Sequence, residues 1–153
     1  MHLNKEKVKS SHMTEIFKYN PPELSVDILY HDPNIIVVNK QSGLLSVPGK
    51  GELLKDCLIS RLQKVFPDAL LVHRLDLETS GVMLFALTPY AQRHLGLQFE
   101  KRQVKKTYIA NVWGDVANKM GEIEAPIVVD WPNRPRQKIC WETGKSAFTK
   151  WRV

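Results

Sequence analysis

The stretch HRLDLETSG, from His73 to Gly81, is the part of the sequence that most restricts fold and function. It stands between two short apolar runs, LLV at 70–72 and VMLFAL at 82–87, which predict neighbouring strands. Because side chains alternate along an extended segment, Arg74 and Asp76 would share one face. The Thr-Ser-Gly that follows is typical of a turn. This pattern indicates either a structural ion pair or a catalytic carboxylate beside a cationic partner.

Hydrophobic periodicity along the rest of the chain predicts an α+β fold. Apolar residues at helical spacing predict an amphipathic helix over 53–66, and Thr88 followed by Pro89 predicts the start of a second helix that ends near Glu100. Two apolar runs around the turn-forming His-Asp-Pro-Asn predict a hairpin over 27–39. Further strands are predicted at 106–113, 122–129 and 146–153. We therefore expect a mixed, largely antiparallel sheet with flanking helices.

Length and composition indicate a single ordinary domain. The chain has 153 residues. We expect residues 1–20 to form a disordered polar leader and residues 21–153 to form a folded domain. The leader lacks the apolar segment of a secretory signal, and no window reaches the roughly 20 apolar residues of a membrane helix, so we expect a cytoplasmic protein without membrane contact. The two cysteines, Cys57 and Cys140, stand far apart and outside any metal-ligand spacing, which predicts reduced thiols and no metal site.

The charge balance favours a polyanionic partner. Lys and Arg number 22 against 16 Asp and Glu, a formal net charge of +6, and neutralising phosphates releases counterions. A basic but merely solvated surface is an equally good interpretation of charge alone. Candidate phosphate contacts stand in the loop at 40–51, the basic segment at 101–106 and the loop WPNRPRQK at 131–138, each of which could also be a plain connector or a solvated face. They are Lys40, Lys50, Lys105, Arg134 and Arg136.

From the residues alone, the central motif keeps two interpretations. In the first, His73 is a hydrogen-bonded histidine at a strand end, Arg74 and Asp76 form a local ion pair, and Thr79 belongs to a turn. In the second, Asp76 is a catalytic carboxylate whose ionisation depends on burial and a cationic neighbour. No nucleophile elbow, phosphate-binding loop or dinucleotide fingerprint competes with it. Asp76 is therefore the best catalytic candidate.

The same motif resembles the signature of the RluA-type pseudouridine synthases, H-R-L-D-x-x-T-S-G, at every fixed position. ILYHDPNIIVVNKQSGLLSVPGK is similar to the amino-terminal motif of that family, and KKTYIANVWG carries its tyrosine at Tyr108. DWPNRPRQKICWETGKSA resembles the subgroup that modifies both 23S ribosomal RNA and transfer RNA. The resemblance covers roughly residues 28–153.

The resemblance implies isomerisation of uridine to pseudouridine in RNA by a monomer, without cofactor or metal. Asp76 matches the catalytic aspartate, and Tyr108 matches the tyrosine that packs on the target uracil and takes part in proton transfer. Arg74 matches the arginine that helps to flip the nucleotide out and fills its place. His73 and Thr79 belong to the same RNA-binding motif. Extruding a base costs a few kcal/mol. In the vacated position, the planar guanidinium of Arg74 is better suited to stacking and hydrogen bonding than an ammonium group.

Three departures from the family pattern accompany the match. Gln41 stands where proline is usual, and Lys50 where arginine is common. The third is a later family motif, G-R-x-H-Q-L-R-V-H, whose basic residue pairs with the catalytic aspartate and which nothing here matches. We therefore expect a truncated synthase domain with reduced or absent activity. The alternatives are an RNA-binding protein without catalysis and a ribosome-associated interaction module, which would need neither Asp76 nor Tyr108.

Overall fold

A computed structural model describes residues 18–134 and 136–153, which divide into two compact units. The first unit ends at Lys106, and the second is Thr107–Val153. Most of the predicted polar leader lies outside the described residues. The boundaries predicted for a single domain, 21–153, remain a prediction.

The first unit is built on a four-stranded sheet. Its strands are β1 (Asp27–His31), β2 (Ile35–Lys40), β3 (Leu70–Leu71) and β4 (Gly81–Ala86), in the order β1-β2-β4-β3. All neighbouring strands are antiparallel. The predicted hairpin is confirmed as β1–β2. Its turn is closed by the Asp32 carboxylate, whose Oδ1 accepts from the backbone N–H of Asn34 at 2.7 Å and of Ile35 at 2.9 Å.

Two α-helices accompany this sheet. Helix α2 (Pro89–Glu100) begins as predicted, with the Thr88 hydroxyl accepting from the Ala91 N–H at 3.1 Å. The helix predicted over 53–66 is wrong at its start, since a one-turn 3-10 helix covers Glu52–Leu54 and α1 is only Leu58–Gln63. The reason is tertiary: Cys57 is extended, and the N–H groups that open α1 donate to carbonyls of the 40–51 loop instead of continuing an earlier helix.

The core of the first unit lies between this sheet and α1. Its residues are apolar side chains from β2, β4 and α1 together with two loop positions, and they are Ile36, Val38, Leu44, Leu58, Leu62, Ala69, Met83 and Phe85. Leu75 of the central motif packs against this cluster. The motif is therefore anchored to the core through Leu75.

The second unit contains a three-stranded antiparallel sheet. Its strands are β5 (Met120–Val129), β6 (Gln137–Ile139) and β7 (Lys145–Arg152), in the order β6-β5-β7. Gly121 faces Trp151 in the β5–β7 register, and a methyl group at Gly121 would lie 2.6 Å from the indole. With antiparallel sheets and helices in one chain, the predicted α+β class is confirmed, although the strands form two sheets and not one.

The strand predicted at 106–113 is wrong. Residues 105–112 have no regular secondary structure, and every one of them is exposed. Ile109 and Trp113 are fully exposed. An alternating pattern specifies a strand only where one face can be buried, and this segment buries neither face against the described residues.

No helix in the described part of the chain is long and apolar enough to cross a membrane.

Candidate active site

The central motif lies between β3 and β4, contains a turn at 77–78 and shows alternating exposure. Arg74, Asp76 and Glu78 are exposed, whereas Leu75 and Leu77 between them are half-buried. The ion pairs found between described residues do not include Arg74 with Asp76. The structural ion pair, which was the simpler interpretation of the sequence, is therefore not what the structure contains. The Asp76 carboxylate stands in solvent on a connection fixed at both ends.

The 40–51 loop holds the backbone on both sides of Asp76. Before it, the Ser46 hydroxyl donates to the carbonyl of Leu75 at 2.6 Å and accepts from the N–H of Leu75 at 3.2 Å. After it, the Leu77 carbonyl accepts from the Lys40 ammonium at 3.1 Å and from the Gly43 N–H at 2.9 Å. The same loop reaches Glu78, whose carbonyl accepts from the Ser42 hydroxyl at 2.8 Å. We call Lys40, Ser42, Gly43 and Ser46 the aspartate clamp.

The position of Lys40 does not agree with the predicted contact to RNA. Its side chain is fully buried, and its Nζ donates to the carbonyls of Gln41, Leu44 and Leu77 at 2.9, 2.6 and 3.1 Å. An ammonium with its three donors engaged inside the protein has none to offer a phosphate. Burial lowers the pKa of Lys40, and the carboxylates of Glu78 and Asp76 partly offset that effect. Lys40 is thus an internal cation beneath the motif.

His73 also points inward. Its Nε2 accepts from the Leu84 N–H at 3.0 Å, and its ring stacks on Phe99 with centroids 4.6 Å apart. The imidazole thereby continues the β3–β4 pairing beyond Leu71. Burial lowers the pKa of His73, and the nearby Lys106 lowers it further, so the neutral ring that accepts this bond is favoured. The structure agrees with the alternative in which His73 is a hydrogen-bonded histidine at a strand end.

The other predicted site residues are divided between the two units. In the first unit, Arg74, Lys50 and Lys105 are exposed, while Thr79 is half-buried and donates its N–H to the Asp76 carbonyl at 3.2 Å. The second unit carries the remaining three, all exposed: Tyr108, Arg134 and Arg136. The Arg134 guanidinium lies 3.6 Å from the centroid of the Trp131 ring. No three metal-binding side chains cluster within the described residues.

Sequence reasoning missed the clamp, although part of it had a signal. Ile36, Val38 and Lys40 are all buried, so the period-two alternation of β2 runs through Lys40 and already indicated an inward side chain. Ser46 had no such signal, because its partner is 29 residues away along the chain. A serine in a glycine-containing loop is compatible with almost any surface role.

A carboxylate in this setting is suited to nucleophilic attack on a carbon atom or to proton transfer. It is exposed, it carries no ion-pair partner among the described residues, and its backbone neighbours are fixed by buried groups. A reacting group held in this way needs little reorganisation when a substrate arrives. Comparison with known proteins shows the family to which a chain with this motif belongs.

The family model of the RNA pseudouridylate synthases matches residues 34–153. The chain belongs to this family. Among its relatives are proteins called dual-specificity RNA pseudouridine synthase RluA, from Yersinia pestis at 56% identity over 126 residues and from Escherichia coli K12 at 53% over 136 residues. These matches cover 82% and 88% of this chain but 61% and 62% of the relatives. The chain thus spans about six tenths of the length of these relatives, and the predicted RluA-type resemblance is confirmed.

Solved structures agree with the fold. Human RNA Pseudouridylate Synthase Domain Containing 1 matches with a TM-score of 0.65 at 25% identity, covering 82% of this chain and 51% of the other. Human RNA Pseudouridylate Synthase Domain Containing 4 matches with a TM-score of 0.58 at 23% identity. The arrangement of strands and helices described above is therefore that of a pseudouridylate synthase domain.

Proposed function

We propose that this chain isomerises uridine to pseudouridine in RNA, with Asp76 as the catalytic carboxylate. The observation that carries the proposal is the exposed, clamped aspartate at the centre of a fully matched family motif. The names of the relatives, dual-specificity RNA pseudouridine synthases, support two substrate classes. We take these to be a hairpin loop of 23S ribosomal RNA and a transfer RNA anticodon loop.

The reaction breaks the bond between uracil N1 and ribose C1′ and forms one between C5 and C1′. The freed base turns while bound, N1 gains a proton, and the proton on C5 is lost. Asp76 serves this exchange either by attacking C1′ or by removing a proton from the ribose. Both routes require a carboxylate within reach of the sugar, and an exposed side chain whose neighbouring backbone is held by hydrogen bonds supports this.

The RNA must present its uridine outside the helical stack. Arg74 is exposed beside Asp76, so its guanidinium is free to enter the vacated position, where it can stack and donate hydrogen bonds. Tyr108 provides an exposed ring for the extruded uracil. Lys50, Lys105, Arg134 and Arg136 offer exposed positive charge to phosphates.

Action without cofactor or metal, a monomeric state and a cytoplasmic location remain predictions from the sequence.

Release of tritium from RNA labelled at uridine C5 tests the proposal, because the isomerisation displaces the C5 hydrogen. Three RNAs are compared: a 23S hairpin, an anticodon stem-loop and a scrambled stem-loop of equal length. We expect release from the first two only. Because the chain spans about six tenths of its relatives, the assay is repeated on a fusion to the unmatched part of the Yersinia pestis relative. Binding without release from either protein would contradict catalysis and favour the RNA-binding alternative.

A further inference from the structure

Two buried side chains bond to the backbone beside Asp76, Ser46 through two hydrogen bonds and Lys40 through one. Ser46 is 4% exposed and bonds to Leu75, the residue directly before Asp76. Lys40 is fully buried and bonds to Leu77, the residue directly after it. Consecutive Cα atoms are about 3.8 Å apart, so fixing both neighbours restricts the backbone of Asp76. These hydrogen bonds are partly buried, so water competes with them less than with bonds at the surface.

The clamp is itself attached to the core of the first unit. Leu58 and Ile59, at the start of α1, donate their N–H groups to the carbonyls of Leu45 and Ser46 at 2.8 and 3.3 Å. Leu44 and Leu58 belong to the same buried cluster. A continuous set of contacts therefore connects the helix, the loop and the connection that carries Asp76. The exposed carboxylate takes its position from groups that are themselves immobilised by packing.

We propose that Ser46 and Lys40 are positioning residues, which set the location of the Asp76 carboxylate relative to the ribose. The proposal rests on the proposed function for its catalytic consequence, but its structural part does not. Neither side chain is exposed to RNA, so their loss should leave RNA binding intact and slow the chemical step. A role in stability alone would instead lower the melting temperature without a selective loss of kcat.

Ser46→Ala is the primary test, and Ser60→Ala is its matched control. The Ser60 hydroxyl also donates to a backbone carbonyl, that of Lys55 at 3.2 Å, but outside the clamp. We expect Ser46→Ala to lower kcat roughly 10- to 100-fold with KM changed less than about threefold, as for a catalytic group displaced by about 1 Å. Ser60→Ala should keep its kcat, and the melting temperatures of both variants are measured so that any loss of kcat can be compared with the loss of stability.

Hydrogen exchange gives a readout that does not need activity. Amides in the 73–81 segment should exchange about tenfold faster in Ser46→Ala than in the parent, and at the parent rate in Ser60→Ala. Lys40→Met, which removes all three donors at similar volume, should have a larger effect. If either variant fails to fold, Ser42→Ala at the exposed edge of the clamp should still speed exchange and lower kcat by about two- to fivefold.

The possible failures are distinguishable. Unchanged exchange in the 73–81 segment of folded Ser46→Ala, or a kcat within about twofold of the parent, would overturn the clamp while leaving the function in place. An inactive parent with faster exchange in Ser46→Ala would instead contradict the proposed function and uphold the structural clamp. A kcat loss in Ser60→Ala as large as in Ser46→Ala would show that general destabilisation, not positioning, is responsible.

Discussion

Burial separates side chains of the same type that are close in sequence. Lys40 and Lys50 delimit one loop, yet Lys40 is fully buried on three carbonyls and Lys50 is exposed. Only Lys50 is therefore exposed enough to contact a phosphate, whereas Lys40 bonds to the backbone near Asp76. The same division applies within the central motif, where Arg74 and Asp76 are exposed and His73 is turned inward. Residue type alone did not distinguish these roles.

The inward position of His73 predicts a pH-dependent stability. Its pKa is lowered below 6.5 in the folded state, so the unfolded chain binds a proton more readily. The contribution of the neutral ring is therefore fully present above about pH 6.5 and is lost as the pH falls towards the folded pKa. We expect the free energy of unfolding to decrease from about pH 7 to about pH 5, measured by urea denaturation.

His73→Gln supplies the test, since glutamine can accept a hydrogen bond but does not titrate in this range. Its decrease in stability on acidification should be smaller than that of the parent. His94→Gln, at an exposed position on α2, should keep the decrease of the parent. A parent whose stability is flat over this range, or a His73→Gln variant with the same pH dependence as the parent, would refute the assignment.

At the scale of secondary structure, helix α2 is set by local sequence and allows a direct test. The Thr88 hydroxyl caps the N-terminus by accepting from Ala91, and Pro89 occupies the first turn. Thr88→Ala should lower the free energy of unfolding by about 1 kcal/mol, whereas Thr88→Ser should lower it by much less. Urea denaturation of the three proteins measures the difference. Equal losses for the alanine and serine variants would mean that the cap contributes nothing.

Other elements show where sequence reasoning stops. The β1–β2 hairpin, β4 and α2 were predictable because their apolar periodicity and turn residues are local. The start of α1 was not, since it is set by carbonyls of Leu45 and Ser46, more than ten residues earlier along the chain. The 106–113 segment alternates like a strand but has no face to bury within the described structure. Long-range contacts decided both cases.

At the scale of the whole chain, family membership came from a nine-residue match, and the clamp came only from the structure. The motif indicated Asp76 as the catalytic candidate, and the comparison with pseudouridylate synthases confirmed the family. Ser46 and Lys40 lie 29 and 37 residues from the carbonyls to which they donate, and only Lys40 had a local signal, in the alternation of β2. Exposed basic residues that are candidate RNA contacts occur in each of the two compact units, and the net charge of the chain is +6.

The central claim is that Asp76, and not merely a negative charge in this motif, performs the reaction. Glu78 is the natural control, because it is an exposed carboxylate two residues further on. Tritium release and RNA affinity should be measured for the parent, Asp76→Asn and Glu78→Gln on the same C5-labelled stem-loops. We predict that Asp76→Asn lowers release by about 10³-fold or more at nearly unchanged affinity, and that Glu78→Gln remains within about threefold of the parent. Release by Asp76→Asn at the rate of the parent would contradict the account.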